Sequence, residues 1–170
     1  RVGDGLEAET QVGPLVSPSQ RDDVARMVDE AVADGAEILT GGRQGDGPGY
    51  FYLPTVLTNV KPDADIVTNE IFGPVAPVTT FTTEEEVIAR VNRSEFGLAG
   101  YVHTSDMSRI LRLTEKLEVG MLGVNSGTIS NAAAPFGGWK HSGMGHEGGS
   151  EGIEDYLELM YVGFTDPFAG

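Results

Sequence analysis

The sequence predicts an α/β fold, in which a mostly parallel open sheet is flanked by helices. Two observations support this prediction. Three amphipathic helical segments alternate with short runs of β-branched and aromatic residues along most of the 170 residues. Helices of about 10 to 15 residues between strands indicate βαβ units, which pair their strands in parallel and cover the sheet with helices.

The first predicted helix begins after Ser17. Serine is a preferred N-cap, Pro18 suits the first helical position, and Gln20 stands where a capping box places a glutamate or glutamine. Apolar residues then recur at helical spacing as far as Val32, and Gly35 can end the helix in the left-handed conformation.

Strand and loop segments follow this helix. AEILTGG predicts a short strand, and residues 41–49, with five glycines, predict an exposed loop. YFYLPTVLTNV has the composition of a strand pair, with Pro54 at an edge or a bend.

The next segments repeat the alternation more regularly. PVAPVTTF predicts a strand, and Thr83 to Glu86 forms a second capping box that opens a helix. LAGYVHT is the next predicted strand, Ser105 the predicted N-cap of a third helix, and VGMLGVN the strand after it. A short helix in SEGIEDYLE and a last strand in LELMYVGF close the chain.

Residues 126–149 differ from the rest, because they hold seven glycines, the single tryptophan and two of the three histidines without any sustained period. A long glycine-rich loop inside a compact domain is often functional.

Composition excludes several classes of function. With 26 acidic and 11 basic residues the formal net charge is −15, which argues against nucleic acid or an anionic membrane as partner. There is no cysteine, hence no disulfide and no cysteine nucleophile in this chain. No apolar run approaches the roughly 20 residues of a membrane span, and no signal-peptide pattern is present. We therefore expect a cytoplasmic protein.

The common catalytic and phosphate-binding motifs are missing. GxxxxGK[ST] is absent, no GxGxxG joins a strand to a helix, and HSGMG lacks the frame of a hydrolase elbow. The spacing of the three histidines matches no zinc site, so we expect no metal. From spacing alone, Glu70 in NEIFGPV is more simply explained as a solvated turn residue.

Four longer motifs resemble the aldehyde dehydrogenase superfamily: NEIFGPVAPVTTF, NRSEFGLAGYVHTSD, VGMLGVNSG and APFGGWKHSGMGHEGGSEGIEDYLELMYV. They occur in the family's order, and the resemblance covers nearly the whole chain. Within the superfamily, ISNAAAPFGG and GSEGIEDYLELMYV are most similar to the succinate-semialdehyde dehydrogenase branch.

The resemblance implies that the chain is the C-terminal part of a longer enzyme. Residues 1–156 would be the end of the catalytic domain, and 157–170 the oligomerisation strand and tail, so that the enzyme forms a homo-oligomer. The family's cysteine nucleophile and general-base glutamate would lie upstream, and the fragment alone would be inactive.

The resemblance also implies roles for four residues. Glu70 would accept hydrogen bonds from the nicotinamide ribose hydroxyls of NAD or NADP, and Phe72 would pack near the nicotinamide ring. Ser130 would help to bind the distal carboxylate of the aldehyde substrate, and Phe136 would line the pocket mouth. His146 stands where an arginine is common in the family.

Two alternatives remain open at the level of sequence. The enzyme could belong to another substrate branch, because SNAAAPF has alanines where the succinate-semialdehyde branch usually has an acidic residue and valine. The chain could also be a non-catalytic assembly domain that keeps the family fold.

Overall fold

A computed structural model describes residues 1–165 of the chain. It divides into two compact units, Arg1–Thr83 and Glu84–Gly170. The α/β class predicted from the sequence is confirmed, since helices and open sheets alternate along the chain.

The first unit contains a three-stranded sheet and two helices. Helix α1 packs on the sheet side chains through its apolar face, and the short helix α2 precedes the last strand. The elements are α1 (Pro18–Ala33), β1 (Glu37–Thr40), β2 (Thr55–Thr58), α2 (Asp65–Thr68) and β3 (Val75–Pro77).

The start of α1 follows the sequence prediction only in part. Ser17 is the N-cap, and its Oγ accepts a hydrogen bond from the backbone N–H of Gln20 at 3.1 Å. The Gln20 side chain does not return to Ser17 as a capping box would, because it donates to the carbonyl of Ile71. Gly35 ends the helix with a φ of 105°, as predicted.

The hydrophobic core of the first unit lies between α1 and β2. Val24, Val28 and Leu57 are completely buried, and Tyr52 is nearly so. Val24 and Val28 lie four residues apart on one face of α1, and burial alternates along β2, where Thr55 and Leu57 are buried. The spacing of these residues in the sequence therefore determines which faces meet.

The second unit contains two-stranded sheets and two helices. Its elements are α3 (Glu84–Asn92), β4 (Phe96–Gly97), β5 (Ala99–Val102), α4 (Met107–Lys116), β6 (Met121–Val124), β7 (Trp139–Lys140) and a 3-10 helix (Glu151–Tyr156). Leu113 of α4 and Met121 of β6 are buried. Helix α4 begins one residue later than predicted, because Asp106 rather than Ser105 caps it, with Oδ1 accepting from the N–H of Arg109 at 3.1 Å.

The described strands form three small sheets rather than the single open sheet that we predicted. β2 pairs with β3 and β5 with β6 in parallel, and helices α2 and α4 provide these two crossovers. β1 pairs with β2 and β4 with β7 in antiparallel fashion. The loop from β1 to β2 has no helix, and a crossover helix is what a parallel return usually requires.

Residues 157–165 follow the 3-10 helix without forming a strand, and their large apolar side chains are mostly exposed. The predicted oligomerisation strand and tail span 157–170, of which residues 166–170 lie outside the described part. The strand therefore stays a prediction, as does the domain boundary at 156.

An ion-pair cluster links the first turn of α3 to α4. Glu84 accepts hydrogen bonds from Arg112 Nε at 2.7 Å and from Arg109 Nε at 3.1 Å, and only 15% of its side-chain surface is exposed. The hydrogen bonds from Arg112, followed by those from Arg109, lower the pKa of Glu84 from 4.5 to about 2.

This cluster makes the stability of the chain depend on pH. A carboxylate whose pKa is lower in the folded state stabilises the fold fully above its ordinary pKa, and this contribution is lost as the pH falls through the folded pKa. We expect Glu84→Gln to lower the melting temperature at pH 7, with a difference from wild type that shrinks between pH 4.5 and about 2. Thermal unfolding at a series of pH values measures this difference in melting temperature. Glu115→Gln, on the exposed face of α4, is the matched control, and a constant difference across this range would contradict the prediction.

Candidate functional site

Glu70 and Phe72 lie in the turn that leads from α2 into β3. Both side chains are exposed, Phe72 to 70%. Phe72 has a φ of 48°, in the left-handed region that bulky residues rarely adopt. The turn therefore directs an acidic and an aromatic side chain outward from a constrained backbone.

The same turn is anchored to the core of the first unit. Ile71 packs against the buried cluster, and the carbonyl of Pro74 accepts a hydrogen bond from the N–H of Thr55 at 2.8 Å. A Cβ atom on Gly73 would lie 2.7 Å from Cγ2 of Val24, so only glycine allows this approach to α1. NEIFGPV is thus an exposed acidic turn on a rigid base.

In the second unit, Ser130 and Phe136 line one pocket of about 410 Å³. The structure therefore brings together the two residues to which the resemblance assigns substrate contacts. Serine and asparagine side chains offer hydrogen-bond donors in it, alongside one carboxylate and several small apolar groups. Its other lining residues are Asn131, Ala132, Ala134, Glu147 and Gly148.

Backbone hydrogen bonds build this pocket out of the glycine-rich segment. Phe136 and Glu147 exchange two of them, with N–H to carbonyl distances of 2.6 and 2.8 Å. The N–H of Gly149 donates to the carbonyl of Ala132 at 3.1 Å, and Asn131 Oδ1 accepts from the N–H of Ala133 at 3.0 Å. The segment that lacks any period in the sequence is consequently ordered by local pairing.

A second pocket, of about 280 Å³, shares Phe136 with the first and is also lined by His146, Asp155 and Tyr156. The N–H of His146 donates to Oδ2 of Asp155 at 2.6 Å. A Cβ on Gly137 would lie 2.5 Å from Cδ2 of the His146 ring, so the imidazole packs directly on this glycine. His146 thus has a packing role at this position.

The carboxyl of Glu151, three residues after Gly148 of the Ser130 pocket, has a lowered pKa. The backbone N–H of Glu151, followed by the hydroxyl of Ser150, lowers the pKa of the Glu151 carboxyl, with a further contribution from His146.

Within residues 1–165 no group of three or more His, Cys, Asp or Glu side chains could hold a metal ion. No helix in that part is long and apolar enough to cross a membrane.

Two residues contribute to these sites without a sequence signal for that role. Gln20 stands in a capping-box position, although its side chain contacts the Glu70 turn 51 residues later. Glu147 lines the Ser130 pocket because it pairs with Phe136, and no sequence period signals that pairing. Glu70 and Phe72 belong to the first unit, and Ser130 and Phe136 to the second.

The aldehyde dehydrogenase family model matches residues 1–162 of the chain. Among curated relatives, a succinate-semialdehyde dehydrogenase of Paenarthrobacter nicotinovorans is 55% identical over 98% of this chain and 37% of its own length. The mitochondrial succinate-semialdehyde dehydrogenase of Mus musculus is 49% identical over 95% of this chain and 31% of its own. A glutarate-semialdehyde dehydrogenase of Pseudomonas putida is 48% identical over 95% of this chain and 33% of its own length.

Solved structures give the same result. A crystal structure described as an NADP-dependent enzyme of E. coli superimposes with a TM-score of 0.90 and 44% identity, over 93% of this chain and 33% of that one. An NAD+ complex of an aldehyde dehydrogenase from Bacillus cereus superimposes with a TM-score of 0.87 and 43% identity, over 93% of this chain and 32% of that one. The chain spans about a third of the length of the curated relatives it matches. On this evidence, the chain belongs to the aldehyde dehydrogenase family.

Proposed function

We propose that the chain is the C-terminal portion of an NAD(P)-dependent enzyme that oxidises succinate semialdehyde to the carboxylic acid. The observation that carries the proposal is the pocket shared by Ser130 and Phe136, in a chain 55% identical to a succinate-semialdehyde dehydrogenase. The remaining catalytic groups, a cysteine thiolate and a general base, would lie in the part of the enzyme upstream of this chain.

The chemistry needs a nucleophile, a hydride acceptor and water. A thiolate bonds to the aldehyde carbon, a hydride leaves that carbon to give a thioester, and water then releases the acid and regenerates the thiol. The nicotinamide, when bound, supplies the hydride acceptor. This chain would contribute one contact region for the cofactor and one wall of the substrate pocket.

The Glu70 turn fits the cofactor role. A carboxylate has two acceptor oxygens, which can take the protons of both hydroxyls of a vicinal diol such as a ribose. The carboxylate of Glu70 and the ring of Phe72 are exposed, while the backbone between them is anchored to the core. Solved relatives described as an NADP-dependent enzyme and as an NAD+ complex support either dinucleotide.

The Ser130 pocket fits a short aldehyde with a second polar end. The Ser130 hydroxyl and the Asn131 amide can donate hydrogen bonds to a carboxylate, and Phe136 offers an apolar surface to the methylenes between the two ends. Glu147 lines the same pocket and disfavours a second negative charge close to it, so the substrate carboxylate would bind at the Ser130 side.

Steady-state kinetics of the full-length enzyme that carries this chain test the pocket assignment. We expect Ser130→Ala to raise KM for succinate semialdehyde about tenfold or more, because a hydrogen bond to a charged group contributes about 1.5 to 3 kcal/mol. KM for butanal, which has no carboxylate, should not change. Ser150→Ala, outside the pocket, is the control. An equal change in KM for both aldehydes would show that Ser130 does not recognise the carboxylate.

Glutarate semialdehyde is the second candidate substrate, because relatives with that name match nearly as well. It is one methylene longer, a difference that hydrophobic pockets discriminate by about 1 to 3 kcal/mol. The ratio of kcat/KM for the two semialdehydes decides between them. No turnover of any aldehyde with NAD or NADP would instead favour a non-catalytic assembly domain.

Assembly and location complete the proposal. The exposed apolar side chains of residues 157–165 support pairing with a second copy of the enzyme, since an exposed apolar patch is typical of an interface with another protein chain. A cytoplasmic location stays a prediction from the sequence, and the relative from Mus musculus is described as mitochondrial.

A further inference from the structure

Gln20 connects the first turn of α1 to the Glu70 turn. Its Nε2 donates a hydrogen bond to the carbonyl of Ile71 at 2.9 Å, and it also approaches the carbonyl of Phe72 at 3.5 Å. Its own backbone N–H is held by Ser17 Oγ at 3.1 Å. The amide therefore extends from a fixed helical position to a residue next to Glu70.

The carbonyl that accepts this bond belongs to the peptide group between Ile71 and Phe72. A peptide group is planar, so fixing the direction of its C=O also fixes the direction of its N–H. The rotation of that plane about the N–Cα bond of Phe72 is the angle φ, which is 48° here. A hydrogen bond to the Ile71 carbonyl thus restrains the unusual angle directly.

A second contact restrains the other side of Phe72. Gly73 approaches Val24, which lies four residues after Gln20 and therefore on the same face of α1. One helical face thus holds the backbone immediately before and immediately after Phe72. The apolar pattern of α1 does not require a glutamine at position 20.

We propose that Gln20 is a positioning residue for cofactor binding, which acts by holding the Ile71–Phe72 peptide so that Glu70 and Phe72 are presented together. The inference rests on the proposed function, in which these two side chains contact the nicotinamide ribose and ring. Gln20 would act through the turn, and the dinucleotide would gain affinity because the turn is already in its binding conformation.

The test compares Gln20→Met with Gln44→Met in the full-length enzyme. Methionine keeps the length of the side chain and removes the amide. Gln44 is the matched control, because its exposed amide donates to Asp22 at 3.4 Å rather than to the Glu70 turn. Three quantities are measured for both variants: the dissociation constants of NAD and NADP, KM for the aldehyde, and hydrogen–deuterium exchange of peptides covering residues 69–78 without cofactor.

We expect Gln20→Met to weaken binding of the preferred dinucleotide about three- to tenfold, which corresponds to the usual net contribution of one hydrogen bond. KM for the aldehyde should stay constant, and exchange in 69–78 should accelerate by a similar factor. In a double-mutant cycle with Glu70→Gln, the two losses of affinity should not add, because Gln20 acts through the Glu70 turn.

Three results would overturn the proposal. Unchanged exchange in residues 69–78 would show that Gln20 does not restrain the turn. Faster exchange in residues 69–78 with unchanged cofactor affinity would give Gln20 a purely structural role. Additive losses of cofactor affinity in the double-mutant cycle would show that Gln20 acts independently of Glu70. If wild type binds neither dinucleotide, the proposed function fails and the cofactor role fails with it, whereas the exchange experiment reports separately on whether Gln20 restrains the turn.

Discussion

Replacing Gly120 by alanine is expected to lower the free energy of unfolding of the chain by about 3 kcal/mol, the upper end of what overpacking usually costs. A Cβ atom at this position would lie 2.1 Å from the carbonyl oxygen of Gly137 and 3.0 Å from Cα of Gly138. Both neighbours are backbone, so no side-chain rotation can relieve the contact. The backbone must move, and it is the backbone next to Phe136.

Urea unfolding of the chain, followed by the fluorescence of its single tryptophan, Trp139, measures this effect. The control is Gly127→Ala, the same chemical change beyond the other end of β6, where an added Cβ would have nothing within 4 Å. We expect the control to be close to wild type. Equal unfolding midpoints for the two variants would mean that the segment at 137–138 shifts freely and that Gly120 does not position it.

The sequence was sufficient to predict some of the helix ends but not others. Local signals located Ser17 as a cap and Gly35 as a helix end, since each depends on neighbours within one turn. They failed at Ser105, because serine and aspartate cap helices about equally well and Asp106 stands beside it. Helix α2 was missed because its four residues span hardly more than one helical turn.

The candidate site depended more on long-range contacts than the helices did. The motifs identified Glu70, Phe72, Ser130 and Phe136 through their resemblance to a family, but not what holds them. The Gln20 bond to Ile71 and the pairing of Phe136 with Glu147 join residues that no periodic pattern relates. Such contacts arise from tertiary packing, for which one sequence gives no direct signal.

The Glu70 assignment leads to the clearest kinetic prediction. We expect Glu70→Gln to reduce kcat/KM of the full-length enzyme about ten- to a hundredfold, because hydrogen bonds to a charged group contribute about 1.5 to 3 kcal/mol. Glutamine keeps the size of the side chain but has one acceptor oxygen in place of two, so it cannot take both protons of a ribose diol. The loss belongs to cofactor binding, and it should therefore be the same for succinate semialdehyde and for butanal.

This pattern distinguishes Glu70 from the pocket residue. Ser130→Ala should change only the reaction of the carboxylated aldehyde, whereas Glu70→Gln should affect both substrates and weaken the dinucleotide itself. Glu9→Gln, at another exposed glutamate of the first unit, controls for the loss of one negative charge. If Glu70→Gln matches this control in turnover and in cofactor affinity, the carboxylate is a solvated turn residue. The anchored geometry of NEIFGPV would then serve folding alone, because an exposed carboxylate on a rigid base has an effect on catalysis only if a ligand meets it there.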